Sequence, residues 1–203
     1  MKERPVIFNS EMVRAILSGR KTQTRRAISD RHLHLLDVAS QVGECYPLES
    51  GIDHANSQSY YREHCPFGQV GDLLWVRETW AEAGASAPDL TLYRANYPAH
   101  VPASYENVPA AEEIRWRPSI HMPRWASRIL LEITAVRVER LNSISEGDAK
   151  AEGYPVGREV DGGAHDPWLW FRELWDGIYP DNSFKVNPWV WVIEFKRVEA
   201  TNG

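Results

Sequence analysis

The sequence of 203 residues predicts an α+β domain: a small mixed β-barrel with short flanking helices and a long inserted loop region. Three observations predict this class. Segments with alternating apolar residues outnumber the helical segments, and the helices lie near the two ends of the chain. No regular alternation of strands and helices appears, so a doubly wound parallel sheet is not expected. The length fits one domain, residues 1–203, with an insertion at about 29–70.

The N-terminal elements are a short strand and a short helix. Residues 5–9 (PVIFN) form the predicted strand, and Ser10 is the expected N-cap of the helix that follows. Gly19 is placed to end that helix as a C-terminal glycine. Residues 22–28 then favour a second strand because threonine and isoleucine fit a pleated, half-buried surface.

The middle of the chain divides into an insertion and two strands. Residues 29–70 carry histidines, prolines and serines with weak periodicity, which predicts a loop region with one helix near residues 33–38. After a turn, residues 73–80 (LLWVRETW) have the pattern of a strong strand. A further short strand is expected at residues 90–94.

The C-terminal half begins with a long β-rich run and ends with two helices and a strand. The run covers residues 114–141, and its alternation changes phase at Ala135, which indicates a bulge. Residues 145–153 and 167–179 are predicted helices, because serine or proline stands near the start of each. Residues 189–197 form the expected final strand.

Composition limits the function classes. The net charge is −5, from 28 acidic and 23 basic residues, which argues against a protein that coats nucleic acid but leaves room for a local basic cleft. No apolar run approaches the roughly 18 residues of a membrane helix, and the first residues do not read as a signal peptide. A cytoplasmic location without membrane association is therefore expected. Cys45 and Cys65 are too few for a disulfide scaffold and are expected to be idle thiols.

The segment Gly19–Arg26 (GRKTQTRR) concentrates reactive side chains, with four basic residues and two hydroxyls in eight positions. On composition alone it would be a solvated basic turn. Directly after a short apolar helix, however, it resembles the signature of the ASCH family. Residues 70–76, 144–153 and 193–195 resemble later pieces of that family, in the same order. The tryptophan-rich segments are similar to those of the longer ASCH proteins of phages and prophages.

The resemblance implies a barrel similar to the PUA domain of RNA-modification proteins, with a nucleoside or RNA as partner and no cofactor. One branch of the family resembles amidohydrolases that remove the acetyl group from N4-acetylcytidine. Its proposed catalytic set carries over to Lys21, Thr24 and Glu152, with Glu146 as the competing carboxylate.

The proposed chemistry requires a lowered lysine pKa and a particular arrangement of these side chains in the fold. A threonine hydroxyl is a poor nucleophile until a base removes its proton, and a lysine is a base only when its pKa falls from about 10.4 towards 7–8. Burial and the neighbouring Arg20, Arg25 and Arg26 would lower that pKa. Side chains alternate along a strand, so Lys21 can meet Thr24 only from outside the regular ladder.

Six further residues are candidates for substrate contacts, with structural salt bridges or core packing as the alternative for each. They are Arg26, Trp75, Arg77, Glu78, Arg124 and Trp125. Most of the nine tryptophans are expected in the core, with one or two free to stack on a base. No metal site is expected, because His32, His34, His64 and Cys65 lack a zinc spacing.

Two functions remain open from the sequence. The first is hydrolysis of an acylated nucleoside by Lys21, Thr24 and Glu152, a combination that a pure binding module would not need. The second is an RNA-binding module or ribonuclease that uses Arg26, Arg77 and stacking tryptophans. A barrel that only mediates protein contacts is a third reading. No motif specific for DNA is present, and the sequence does not predict the oligomeric state.

Overall fold

A computed structural model describes residues 1–50, 55–85, 87–159 and 162–198, and these form an α+β arrangement of two sheets and surrounding helices. The strands are β1 (Glu3–Ile7), β2 (Gln23–Ala27), β3 (Leu73–Arg77), β4 (Trp80–Glu82), β5 (Thr91–Tyr93), β6 (Leu130–Arg140) and β7 (Trp189–Val198). The helices are α1 (Ser10–Leu17), α2 (Asp30–Gln41), α3 (Ala55–Glu63), α4 (Glu146–Ala151), α5 (Val156–Glu159) and α6 (Asp166–Ile178). The predicted α+β class is confirmed.

The larger sheet has five strands in the order β1-β3-β6-β7-β2, and β4 pairs with β5 in a separate sheet. Strands β1 and β3 are parallel, whereas the other pairs of the larger sheet are antiparallel. The register between β6 and β7 shifts between Ile133 and Ala135, so the bulge predicted at Ala135 is confirmed.

The larger sheet is not hydrogen-bonded into the closed barrel that the sequence predicted. Strands β1 and β2 are its edges, and no ladder joins them among the described residues. A side chain spans the gap instead: Nη2 of Arg26 on β2 donates to the carbonyl oxygen of Ile7 on β1 at 2.9 Å. The sheet therefore curls until its edges face each other, but its closure relies on an arginine rather than on paired backbone.

Two apolar clusters cover the two faces of the sheet. On β7, Trp191 and Ile193 belong to the cluster shared with α1, α2 and α3, whereas Val190 and Val192 pack with α4 and α6. Because both faces of β7 are buried, its sequence is a continuous apolar run rather than an alternating one.

Asn9, and not the predicted Ser10, caps the first helix. Its side-chain oxygen accepts from the backbone N–H of Met12 at 2.9 Å, one residue earlier than the sequence analysis placed the cap. Gly19 follows the helix with a φ of +76°, the left-handed conformation expected of a terminating glycine.

Three segments differ from their predictions. Residues 29–70 contain two helices, α2 and α3, rather than a loop with one short helix, although residues 51–54 lie outside the described part. The strand predicted at residues 73–80 ends at Arg77, since Trp80 pairs with Tyr93 in the smaller sheet. The β-rich run predicted from residue 114 becomes a strand only at Leu130, because two short 3₁₀ turns, Ser119–His121 and Arg124–Ala126, occupy part of its first half.

The cysteines are free, as expected, and none of the described helices is long and apolar enough to cross a bilayer. Burial raises the pKa of the Cys65 thiol to about 11, which leaves little reactive thiolate at neutral pH.

A buried ion pair joins the two sheets. Glu78 is 1% exposed, and its carboxylate accepts two hydrogen bonds from Arg128, at 2.9 and 3.0 Å. Arg128 also lies 3.9 Å from the Tyr93 ring centroid and donates to the Asn96 side chain. Burial raises the pKa of Glu78, whereas the hydrogen bonds and the charge of Arg128 lower it.

We expect Arg128→Ala to lower the free energy of unfolding by about 3 kcal/mol or more, because it leaves the buried Glu78 carboxylate unpaired. Denaturant unfolding followed by far-ultraviolet circular dichroism measures the change. Arg124→Ala is the matched control, since Arg124 makes the same kind of bidentate pair with Glu3 at an exposed position. An equal loss in both variants would contradict this account, because exposed pairs contribute about 1 kcal/mol or less.

Candidate active site

Lys21 lies in the connection between α1 and β2, outside the regular ladder. Its backbone N–H donates to the carbonyl oxygen of Ala15 on α1, and Thr22 donates to the carbonyl oxygen of Ala151 on α4. Lys21 also forms an isolated antiparallel bridge with Glu152, while β2 begins only at Gln23. The prediction that Lys21 is not part of the strand is confirmed.

The side chain of Lys21 is fully buried against Glu152. Its Nζ donates to Glu152 Oε2 and to the Glu152 carbonyl oxygen, both at 2.9 Å, and the two residues are 2% and 3% exposed. Burial lowers the pKa of Lys21, the Glu152 carboxylate opposes this, and the charges of Arg26 and Arg25 lower it further. A lysine that acts as a general base requires a lowered pKa of this kind.

Arg25 is the second cation on Glu152 and extends the pair into a network. Its Nη1 donates to Glu152 Oε1 at 3.1 Å, and its Nη2 lies 2.6 Å from Glu139 and 3.4 Å from Asp148. Arg137 pairs with Glu139 and Asp148 from the other side. The sequence analysis gave Arg25 only a tuning role. In the fold it fixes the carboxylate that holds Lys21.

Gly153 allows α1, Lys21 and Glu152 to approach each other closely. Its φ is +108°, and a Cβ at this position would lie 2.9 Å from the Ala15 Cβ and 3.3 Å from the Lys21 Cβ. Helix α4 ends just before it, which brings Glu152 to the bridge with Lys21. A glycine is therefore needed for both conformation and space.

Gly153→Ala is expected to destabilise the fold by about 1–3 kcal/mol from backbone strain alone, with the steric contact in addition. The midpoint of thermal unfolding measures this loss of stability. The Michaelis constant of the enzymatic activity measures the effect on the cleft. Gly177→Ala is the control, because Gly177 lies in α6 with open space around its Cβ position, and alanine is favoured in a helix. Similar unfolding midpoints for the two variants would contradict the close approach.

A cleft between α1 and α6 opens beside this network. Its main cavity has a volume of about 220 Å³, with Glu152 and Gly153 among its lining residues. Helix α1 and the turn after it contribute Glu11, Met12, Arg14, Ala15 and Arg20, and Pro155, Trp170 and Leu174 complete the lining. The buried Glu152 marks the floor of the cleft, and the exposed Arg14 marks its mouth.

Thr24 borders a second, smaller recess of the same cleft. The recess measures about 20 Å³, roughly the space of one water molecule, and shares Met12, Glu152 and Leu174 with the main cavity. Thr24 and Arg26 lie along it, as do Arg25 and the apolar side of α6. Thr24 and Glu152 therefore both border this recess, and Lys21 contacts Glu152 from behind it without being among the lining residues of either cavity.

The geometry separates the two candidate glutamates. Glu146, at the start of α4, is half exposed and pairs with Lys150 one turn later, at 2.8 Å. Glu152 is the carboxylate that contacts Lys21.

Three of the six predicted contact residues, Arg26, Trp75 and Arg77, lie near the gap between β1 and β2. Arg26 packs over the Phe8 ring, and Arg77 pairs in register with Ile7, the residue whose carbonyl oxygen accepts from Arg26. Arg77 also packs over the Trp75 ring and donates to the Ile120 carbonyl oxygen. Of the six, Arg26 alone is among the residues that border the cleft.

The other three predicted contact residues have structural partners away from the cleft. Glu78 is the buried partner of Arg128, Arg124 pairs with Glu3, and Trp125 packs edge-on against Trp80. Trp125 is nevertheless 66% exposed, so most of its surface is open to solvent.

Sequence reasoning missed the apolar walls of the cleft. Met12 and Ala15 come from α1, and Trp170 and Leu174 come from α6. The available signal was the spacing of Trp170 and Leu174, four residues apart on a helix that also buries Phe171 and Trp175. These four residues form an apolar stripe on α6 that is wider than the packing of the helix against the core requires. The sequence alone does not show that this helix faces Lys21.

Among the described residues, no group of three or more histidines, cysteines, aspartates or glutamates is arranged to hold a metal ion. Three acidic side chains of the network, Glu139, Asp148 and Glu152, are held by arginines and a lysine instead.

Comparison with known proteins gives one finding. This chain is similar to an ASCH domain. The similar protein is the ASCH domain from Lactobacillus crispatus JV V101, whose crystal structure is 15% identical in sequence, with a TM-score of 0.36. The likeness covers 97% of this chain and 79% of that one. No family model and no curated protein matches the chain.

Proposed function

We propose that this protein hydrolyses the amide bond of an N4-acylated cytidine, with Lys21, Thr24 and Glu152 as the reacting set. The observation that carries the proposal is the fully buried Lys21, held 2.9 Å from Glu152, a carboxylate that lines both the main cavity and the small recess that Thr24 borders. A lysine whose pKa is lowered by burial suits a general base, and structural lysines are rarely buried in this way. The resemblance of Gly19–Arg26 to the ASCH signature supplies the substrate class.

Lys21 and Thr24 would form the nucleophile. Neutral Lys21 takes the proton from Thr24 Oγ1, and this oxygen attacks the acetyl carbonyl carbon. The tetrahedral intermediate then collapses, the C–N bond breaks, and the amino group of cytidine leaves with the proton that Lys21 had accepted. Water then hydrolyses the threonine ester to acetate, with Lys21 again moving the proton.

Glu152 and the arginines would hold this machinery in place. The Glu152 carboxylate accepts from Lys21 and Arg25, so in the resting arrangement it orients the lysine. Arg26 borders the recess, and its buried Nε has no hydrogen-bond partner among the described residues. An N–H group of this arginine is therefore a suitable donor to the developing oxyanion.

The cleft also suits a heterocyclic substrate. Met12, Ala15, Trp170 and Leu174 give it apolar walls, and Trp170 is only partly buried. An indole offers a π-face to a base, and the small recess beside Thr24 has room for about one water molecule. These features match a nucleoside better than a peptide, and we propose the cytoplasm as the location of the reaction.

The test is incubation of the purified protein with N4-acetylcytidine, with cytidine and acetate release followed by chromatography. Release of both products in equal amounts supports the proposal. The absence of turnover with the free nucleoside and with an N4-acetylated oligonucleotide would overturn it.

The pH dependence of this activity is a separate prediction. Lys21 must be neutral to act, so we expect kcat/KM to rise with pH through an inflection below 10.5, the ordinary lysine value. Arg26→Gln removes one of the charges that lower the pKa of Lys21, so it should move the inflection to higher pH. A profile that is flat through this range, or an inflection that Arg26→Gln moves downward, would contradict the role of Lys21 as the base.

RNA binding or cleavage is the second candidate function, because Trp125 is 66% exposed and Arg77 lies over the Trp75 ring. Exposed aromatic and basic side chains bind single strands by stacking and charge. Cleavage of labelled RNA by the parent protein, lost in Lys21→Ala, would favour a ribonuclease. Binding lost in Trp125→Ala without any cleavage would favour a binding module.

A further inference from the structure

The main cavity of the cleft contains two arginines that the proposed reaction does not use, Arg14 and Arg20. Arg14 Nη1 donates to the Ala95 carbonyl oxygen at 2.9 Å. Arg20 Nη1 donates to the carbonyl oxygens of Gly153 and Tyr154, at 3.1 and 2.9 Å, and its Nε donates to Ser18 Oγ. Both guanidinium groups are therefore oriented by neutral oxygens, and within the described part of the chain neither has a carboxylate partner.

Half of the sixteen other arginines in the sequence differ in this respect. Eight of them pair with carboxylates: Arg25, Arg117, Arg124, Arg128, Arg137, Arg140, Arg158 and Arg172. At the cavity, the Glu152 carboxylate contacts Lys21 and Arg25 rather than Arg14 or Arg20, and Glu11 is the other acid of the lining. The cavity therefore holds two guanidinium groups without a carboxylate partner among the described residues, although the whole chain has a net charge of −5.

We propose that the ligand of this cleft carries a phosphate group, which Arg14 and Arg20 bind, so that the substrate is a nucleotide rather than a nucleoside. This inference rests on the proposed function for the base, and it adds the phosphate. Guanidinium groups bind phosphate oxygens through parallel N–H donors, and each of these arginines keeps donors beyond those described above. The buried floor at Glu152 and the exposed Arg14 at the mouth place the base inward and the phosphate outward.

Equilibrium binding tests this inference without requiring turnover. Cytidine and cytidine 5′-monophosphate are titrated into the parent protein by calorimetry, at low and at moderate salt. We expect the monophosphate to bind about 10–100-fold more tightly, with the advantage shrinking as salt rises. Arg14→Gln should reduce the ratio of the two affinities towards one. Arg172→Gln, an exposed arginine on α6 outside the cavity lining, should leave the ratio unchanged.

A third ligand identifies the source of the phosphate. The methyl ester of cytidine 5′-monophosphate carries the single charge of an internal RNA phosphate. Binding equal to that of the monophosphate indicates a cytidine within RNA, and weaker binding indicates a free nucleotide; both outcomes support a phosphate site. Equal affinities for cytidine and its monophosphate would overturn the inference. If N4-acetylcytidine is nevertheless hydrolysed, the proposed function stands without it.

Discussion

Replacement of Lys21 by methionine is expected to reduce kcat for N4-acetylcytidine by about 10²–10⁴-fold, the usual contribution of a general base. Methionine fills the buried space of the lysine stem but has no group that can accept a proton. Lys21→Arg should be inactive as well, because a guanidinium keeps its charge at any pH that the fold survives. Initial rates of acetate release measure both variants.

The arginine variant separates a base from a purely structural cation. If Lys21 only balanced the charge of Glu152, Lys21→Arg would retain most of the activity of the parent protein. Lys150→Met is the matched control, because Lys150 lies on α4 at half exposure and pairs with Glu146 away from the cleft. Equal losses in Lys21→Met and Lys150→Met would contradict the assignment of Lys21.

Glu152→Gln is expected to lower the free energy of unfolding by about 3–5 kcal/mol at neutral pH. The change keeps the shape of the side chain but removes the carboxylate that Lys21 contacts, and it leaves Arg25 with Glu139 and Asp148. Denaturant unfolding measures this loss. Glu146→Gln is the control, since Glu146 is half exposed, and its unfolding midpoint should match that of the parent protein.

The loss in Glu152→Gln should depend on pH. The folded state holds Lys21 with a pKa below 10.5, so between that lowered pKa and 10.5 the unfolded chain binds more protons than the folded one. Stability from this group therefore rises with pH across that window. We expect the defect of Glu152→Gln to shrink as pH increases, because neutral Lys21 no longer needs a counter-charge. A defect that grows with pH would contradict the buried pair.

Local signals predicted the elements around the candidate site well. Gly19 ends α1, Lys21 precedes β2, and Ser145 caps α4, whose end brings Glu152 to Lys21. Each of these follows from short-range chemistry: a glycine with positive φ, a strand that cannot place adjacent side chains on one face, and a serine cap. The choice of Glu152 over Glu146 came instead from the resemblance to the ASCH family.

The remaining features depend on contacts between distant parts of the chain. The pairing of Glu78 with Arg128 is set by how two sheets meet, and the sequence pattern of residues 73–80 gives no sign that the strand changes sheet at Trp80. The cleft forms because α6 lies opposite α1, and this packing is also set by tertiary contacts. Periodicity reports which face of a helix is buried, but not what covers it.

The measurement that tests the central claim most directly is acetate release from N4-acetylcytidine by the parent protein and by Thr24→Val, assayed side by side at equal concentration. Valine keeps the size and branching of threonine and removes only the hydroxyl. The proposed mechanism predicts turnover by the parent protein and none above background by a folded Thr24→Val. Turnover by Thr24→Val at the parent rate, or no turnover by the parent protein, would contradict it.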